Sequence, residues 1–357
     1  MRPTQLFEYS EKLFAETLLI KTGVRKPVVR TDRERSFDDV QILFCKHPPK
    51  EIAVSILIPT HNRPAFLKKA VESVLRQVEL DLEIIIVNDG DIPISPEMMS
   101  FLPALPFPVT VLKHPKNLGL AATRNTAAHY SHGIWLMTLD DDDELIPGGP
   151  ARLLDVARSS GCDFVHGDHL RRYFDSEGIP VREEYISRGS DLFELLYYEN
   201  LITNGTFLIK KDLFERLNGY REDLAVHEDY HLHIRAAKST KFQFVNHPTF
   251  IYNCRSSINR LNLDKRLFWF STSMLNHALF GYFFPLSGEH ARDQKIGEYE
   301  HLQRALEEGA EKEIVVSLIS RWWNALRASD RRSEITAELE VIRKLCPSIA
   351  HDLIKFQ

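Results

Sequence analysis

Ala53-Val-Ser-Ile-Leu-Ile-Pro-Thr-His-Asn-Arg63 changes the texture of the chain from charged and irregular to a short, continuous apolar run that stops at polar residues. A run of that length, Ala53 to Ile58, reads as a buried strand ended by Pro59-Thr60-His61-Asn62-Arg63. Pro64 suits the first turn of a helix, and Leu67, Ala70, Val71, Val74 and Leu75 then recur on one helical face. The pattern repeats downstream. Glu83 to Val87 is a second strand stopping at Asn88-Asp89-Gly90, and Val109 to Leu112 is a third, followed by polar residues from His114 to Asn117. A helix from Leu120 to Tyr130 and a strand from Ile134 to Leu139 complete it, the strand running into Asp140-Asp141-Asp142-Asp143. Strands alternating with helices predict an α/β fold with a doubly wound, mostly parallel sheet. Ligands of such sheets sit beyond the carboxyl ends of the strands, where Asn62, Asp89 and Asp140 fall.

Three segments follow from this pattern: an N-terminal extension over 1–50, the α/β domain over 51–260 and a helical C-terminal region over 261–357. The extension has room for a short helix around Leu13 to Ile20 and a polar connector from Arg25 to Asp39. The C-terminal region carries an apolar stripe of Ile314, Val315, Leu318, Ile319 and Trp322. With 357 residues, 43% hydrophobic, the chain can bury a large core. Its net charge of -5 gives no footing for nucleic acid, which selects a basic surface. Cys45, Cys162, Cys254 and Cys346 lie too far apart to suggest a zinc site. Glu8, Glu11 and Glu16 interrupt any leader-like apolar stretch, and Leu267 to Leu286 is broken by Asn276 and His277, so a cytoplasmic protein is expected. The aromatic segment from Leu267 to Phe284 fits core packing or a subunit interface, with peripheral contact at the inner face of a membrane as the alternative.

Four consecutive aspartates at a strand end repel one another unless a cation or hydrogen-bond donors compensate, which suits a hard divalent ion bound through oxygen. Helix-start acidity is the plainer account of Asp143 and Glu144. Asp89 before Gly90 fits either a ligand contact or a turn. Arg124 fits a diphosphate contact or a surface ion pair. His227-Glu228-Asp229-Tyr230 opens another helix; acidic residues favour such positions, but a carboxylate near a metal–diphosphate site is also what deprotonation of an attacking hydroxyl needs.

Taken in order, Val54 to Arg63, Val87-Asn-Asp-Gly-Asp91, Asn117 to Asn125, Leu139 to Asp143, Asn218-Gly-Tyr220 and Glu228-Asp229 resemble the successive motifs of family 2 glycosyltransferases, over residues 52–257. The resemblance implies a GT-A fold and inverting, metal-dependent transfer of a sugar from a nucleotide diphosphate donor, with uridine as the base, to a hydroxyl of a saccharide or lipid-linked saccharide acceptor. It implies that Pro59, Thr60, Asn62 and Arg63 line the nucleotide pocket, and that Asp89 accepts from the uracil ring N–H. Asn117 and Arg124 would border the nucleotide or diphosphate. Asp140 would hold the ribose side, with Asp141 beside it in the donor site. Asp142 would coordinate Mn2+ or Mg2+, Asp229 would be the catalytic base and Glu228 an acceptor contact.

Two features depart from the family. Tyr252-Asn-Cys-Arg-Ser-Ser257 offers no His as a further metal ligand, and the Gln-x-x-Arg-Trp motif of processive synthases is missing. Addition of one or a few sugars is expected. The competing expectation from another class is a nucleotide-sugar-binding module of the same fold without turnover.

Overall fold

The apolar runs of the sequence become neighbouring strands of one mixed sheet. The structure is a computed structural model that describes residues 36–47, 51–77, 80–189, 200–222, 224 and 227–255, all within a compact unit, Arg30–Asn259. The expected helix at Leu13 to Ile20 and the whole C-terminal region over 261–357 lie outside the described residues.

Ten strands are present among the described residues: β1 Gln41–Lys46, β2 Val54–Thr60, β3 Leu82–Asn88, β4 Val109–Lys113, β5 Trp135–Thr138, β6 Glu144–Leu145, β7 Phe164–Phe174, β8 Pro180–Ile186, β9 Phe207–Lys210 and β10 Phe242–Cys254. Their order is β1-β4-β3-β2-β5-β9-β7-β10-β6, with β8 paired to β7. β4, β3, β2 and β5 are mutually parallel, so the chain leaves all four at one edge. β2 and β3 are buried at every position, as expected of parallel strands covered on both faces. Helices α1 Pro64–Leu75, α2 Pro96–Phe101, α3 Leu120–His129, α4 Gly149–Ser160, α5 Lys211–Arg216 and α6 Glu228–Ser239 connect or follow the strands.

The helical face expected in α1 buries Leu67, Ala70, Val71 and Val74, each worth up to about 1.5–3 kcal/mol when large and fully buried. Leu75 is a correction: it is exposed, and Ser73 takes a place on the face. The Ser73 hydroxyl donates to the Ala70 carbonyl at 2.6 Å and accepts from Leu145 N at 3.0 Å, anchoring the strand that follows the aspartates. A second departure lies at β1, where residues 41–46, read as irregular extension, pair antiparallel with β4 as an edge strand. Ile42 and Leu43 are both exposed, so alternation, the usual mark of a half-buried strand, is missing there.

Candidate donor and acceptor site

The parallel centre brings four connections to one edge: His61–Arg63 after β2, Asp89–Asp91 after β3, His114–Gly119 after β4 and Leu139–Asp143 after β5. Asn62 bends the first of these in the left-handed region (φ 57°), which asparagine tolerates better than most residues, and its Oδ1 accepts from Ile92 N at 2.8 Å. Gly90 is required by this approach, because a Cβ there would lie 2.6 Å from the Asn62 backbone nitrogen.

The four aspartates divide into different environments. Asp140 is partly exposed and accepts from Arg124 Nη2 at 2.6 Å. Asp141 is fully buried, accepts from Thr60 Oγ1 at 2.7 Å and pairs with Arg63 Nη2 at 2.6 Å. Burial pushes the Asp141 carboxyl up to about 7, against the pull of Arg63 and Thr60. Asp142 retains some exposure and meets Arg63 Nη1 at 3.1 Å. Asp143 is buried and accepts from Asn253 N at 2.7 Å. Burial alone would lower the Arg63 pKa, but the carboxylates of Asp141, Asp142, Asp140 and Asp143 outweigh it and raise it.

Several of the expected site residues already have partners within the protein. Asp141 and Thr60 are both buried and face each other across the loop at the end of β5. Pro59 likewise is buried as part of β2. Asp89 is nearly buried, with Oδ1 meeting His114 Nδ1 at 2.6 Å and Leu118 N at 2.8 Å, and Oδ2 accepting from Gly119 N at 2.9 Å. Its carboxylate therefore ties the loop after β4 to the end of β3. Asn117 is exposed and its Oδ1 also accepts from Gly119 N, at 2.9 Å.

Arg124, expected to border the nucleotide or diphosphate, is one of the largest fully buried side chains among the described residues. Its guanidinium spans Asp140 through Nη2 and Glu228 through Nη1, and it lies over the Tyr220 ring at 5.5 Å. Burial opposes the charge, yet Asp140 and Glu228 hold the Arg124 pKa above its ordinary value. Glu228, the expected acceptor contact, is buried against Arg124. Burial pushes its carboxyl up to about 7, with Arg124 pulling it down and Asp229 pushing it up. The Asn204 amide can donate to Asp229 Oδ2 at 3.4 Å or, reversed, accept from both Arg124 nitrogens at 3.0 and 3.2 Å. Two shorter, charge-assisted bonds favour the second orientation.

α6 begins after His227, which takes left-handed backbone (φ 67°), so that Glu228 enters the core while Asp229 stays half-buried. α3 and α6 are joined again through Asn218-Gly219-Tyr220. Asn125 accepts from Tyr220 N and donates to Tyr220 O, both at 2.8 Å, while Arg235 on α6 donates to the Leu217 and Gly219 carbonyls.

Asn253 and Arg255 gave no chemical signal in the sequence beyond occupying a stretch where a His was sought. Their side chains each donate to the Asp142 carbonyl at 2.9 Å, which fixes the backbone of the aspartate cluster from β10 and the residue after it. Arg255 also lies over the rings of Phe66, at 5.1 Å, and Phe174, at 4.1 Å. Among the described residues, no three His, Cys, Asp or Glu side chains form a ready cage for a metal. Asp142, with oxygen donors and partial exposure, fits the manner in which Mg2+ or Mn2+ takes one or two protein carboxylates and draws other ligands from phosphate.

Four of the buried imidazoles lie on β7 and α6. Burial lowers His166, His169 and His233 to about 4 and His231 to about 2. A depressed folded-state pKa contributes stability that is present above the unfolded value near 6.5 and lost as pH falls through the folded values. Asp141 and Glu228, raised by burial, act oppositely, with stability lost as pH rises toward about 7. Four histidines outweigh two carboxylates, so the melting temperature should fall between pH 6.5 and 4; a constant or rising value would contradict these burials.

This arrangement of a parallel sheet with an aspartate-rich carboxyl edge and an antiparallel extension defines a GT-A fold. Solved structures bear it out: S. aureus TarS 1–349 in complex with UDP-GlcNAc aligns with a TM-score of 0.55 at 14% identity, over 78% of this chain and 81% of that one. The glycosyl transferase family 2 model matches residues 55–221 of this chain. An uncharacterized glycosyltransferase of Haemophilus influenzae is 29% identical over 195 residues, 53% of this chain and 63% of that protein. The uncharacterized glycosyltransferase YwdF of Bacillus subtilis is 28% identical over 202 residues, 56% of this chain and 73% of that protein. The chain thus spans less than two thirds of the Haemophilus relative. No helix among the described residues is long and apolar enough to cross a membrane.

Proposed function

We propose that this domain transfers a hexosyl or N-acetylhexosaminyl group from a UDP-sugar to a hydroxyl acceptor, with inversion at the anomeric carbon. The observation that carries the proposal is the Arg124 guanidinium, which joins Asp140, at the end of β5, to Glu228, at the start of α6. That link puts Asp229, the next residue, on an element tied directly to the aspartate edge. In this mechanism Asp229 takes the acceptor hydroxyl proton, the oxygen attacks the anomeric carbon, and the bond to the diphosphate breaks with its electron pair leaving on the nucleotide. Asp142 would hold Mn2+ or Mg2+, which when bound supplies positive charge to the departing diphosphate. Arg63, fixed on Asp141 and Asp142, holds the cluster in place and keeps its like charges together.

The choice of uridine is supported by TarS, which shares the fold and has been solved with UDP and with UDP-GlcNAc. Asn62, Arg63, Asn117 and Asp140 are the expected donor-site residues that keep exposure at the edge. The acceptor we assign is a saccharide or lipid-linked saccharide in polysaccharide or glycoconjugate synthesis, met in the cytoplasm or at the inner face of a membrane.

The metal assignment predicts that Mn2+ or Mg2+ strengthens UDP binding and that Asp142→Asn removes this gain; a UDP-induced melting shift indifferent to both chelator and substitution would overturn it. Asp89 reaches the nucleotide site through the loop it ties down. Asp89→Ala should therefore weaken UDP and, with three hydrogen bonds to the loop lost, lower the melting temperature. Calorimetric titration showing unaltered affinity would leave Asp89 a purely structural turn residue. Transfer itself is tested by donor turnover in the wild-type protein and in Asp229→Asn.

A further inference from the structure

The side chain of Asp229 is aimed by a short relay that the proposed mechanism does not name. Its Oδ2 accepts from Asn200 Nδ2 at 3.1 Å, and Asn200 Oδ1 lies 3.2 Å from His233 Nδ1. An amide oxygen only accepts, so His233 carries its proton on Nδ1 and donates it to Asn200. His233 stands four residues after Asp229 on α6, on the same helical face. It is completely buried, and its ring meets Phe207 edge-on at 5.0 Å and Phe164 at 6.0 Å, which fixes the plane of the imidazole.

Two features show what the imidazole contributes. Its Nε2 is buried with no hydrogen-bond partner among the described residues, so an all-carbon ring would suit the surrounding apolar shell there better. What the histidine adds is the Nδ1–H. Without that donor, the Asn200 amide could reverse and set its oxygen against the Asp229 carboxylate. Burial pushes the His233 pKa down to about 4, so the ring is neutral near pH 7.

We propose that His233 and Asn200 are positioning residues, His233 fixing the orientation of the Asn200 amide and Asn200 the direction of the Asp229 carboxylate. The proposal rests on Asp229 being the base, so its test must separate the two ideas. A misdirected base that still binds donor loses rate, and displacements of about 1 Å cost on the order of 100-fold.

The experiment compares His233→Phe, His233→Asn, Asn200→Ala and Asp229→Asn. The substrate is whichever UDP-, GDP- or dTDP-sugar the wild-type protein hydrolyses fastest with manganese, water serving as acceptor. Nucleotide release, UDP affinity and melting temperature are measured for each. His233→Phe and Asn200→Ala should each lower kcat about 10- to 100-fold, with donor KM and UDP affinity within about twofold of wild type. His233→Phe removes a buried nitrogen that has no partner among the described residues but also takes the donor from Asn200 Oδ1, so its melting temperature should stay close to that of wild type. His233→Asn, whose side-chain nitrogen can donate from a similar place, should recover much of the rate. Wild-type kcat in His233→Phe and Asn200→Ala beside an inactive Asp229→Asn would overturn the relay and leave the base in place. Should His233→Phe fail to fold, Asn200→Ala decides in the same way. Activity retained in Asp229→Asn, or no release from any donor by the wild-type protein, would remove the base assignment and the relay with it.

Discussion

Asp229→Asn is expected to lower the rate of sugar transfer by about 100- to 10,000-fold, the range that general-base assistance supplies. The substitution keeps the size of the side chain and much of its hydrogen bonding, but removes the proton acceptor. Asp229 is half-buried and linked to Asn200, so the amide can sit in nearly the same place. UDP affinity should stay close to wild type, because the donor-side residues at the ends of β2 and β5 are untouched. A melting temperature near that of wild type is the required control, since an acidic residue at a helix start also favours the helix dipole. Near wild-type transfer with unchanged donor affinity would refute the assignment. Glu228 would then be a poor substitute, because it is buried against Arg124.

The largest effect on stability is expected from Arg124→Met. The guanidinium is enclosed by Asp140, Glu228, Asn204 and the Tyr220 ring, and methionine fills much of the volume without the charge. Removing one partner from a buried ionic group costs about 3–5 kcal/mol, roughly 6 to 20 °C of melting temperature at about 2–4 °C per kcal/mol for a unit of this size. The sign of the pH effect follows from Glu228. Its carboxyl already sits near 7 because of burial, and loss of Arg124 removes the group that pulls it down. A carboxyl raised in the folded state stabilises below its unfolded pKa and loses that contribution as pH rises, so the variant's deficit should be greater at pH 8.5 than at pH 6. Adding Glu228→Gln should restore part of the stability, because the buried carboxylate is then gone. A single variant melting within about 2 °C of wild type would show that the cluster does not join β5 to α6 as described.

The parts of this architecture that sequence made legible are those with a local cause. β2 and β3 are buried on both faces, so they read as uninterrupted apolar runs, and their carboxyl ends mark the ligand edge. β1 had no such signature, because an exposed edge strand carries little hydrophobic pattern. The site followed the same division. That Asp89, Asp141, Arg124 and Glu228 belong near one edge could be inferred from their motifs. Which way each side chain points could not, because the partners come from afar: Asp141 from Thr60 and Arg63, Arg124 from Glu228, and Asp89 from His114 and two backbone N–H groups. Each of these charged side chains has a partner inside the protein that its own motif does not reveal. Asn200 and His233 stood outside every motif, and only their meeting at Asp229 gives them a role.

The most direct test of the central claim is nucleotide release by the wild-type protein across UDP-, GDP- and dTDP-sugars with manganese, each donor assayed with and without a panel of saccharide acceptors. The account predicts release from a UDP-sugar, faster with acceptor, suppressed by chelator and lost in Asp229→Asn. Tight, manganese-dependent UDP binding without release from any donor would contradict it and make the domain a nucleotide-sugar-binding module.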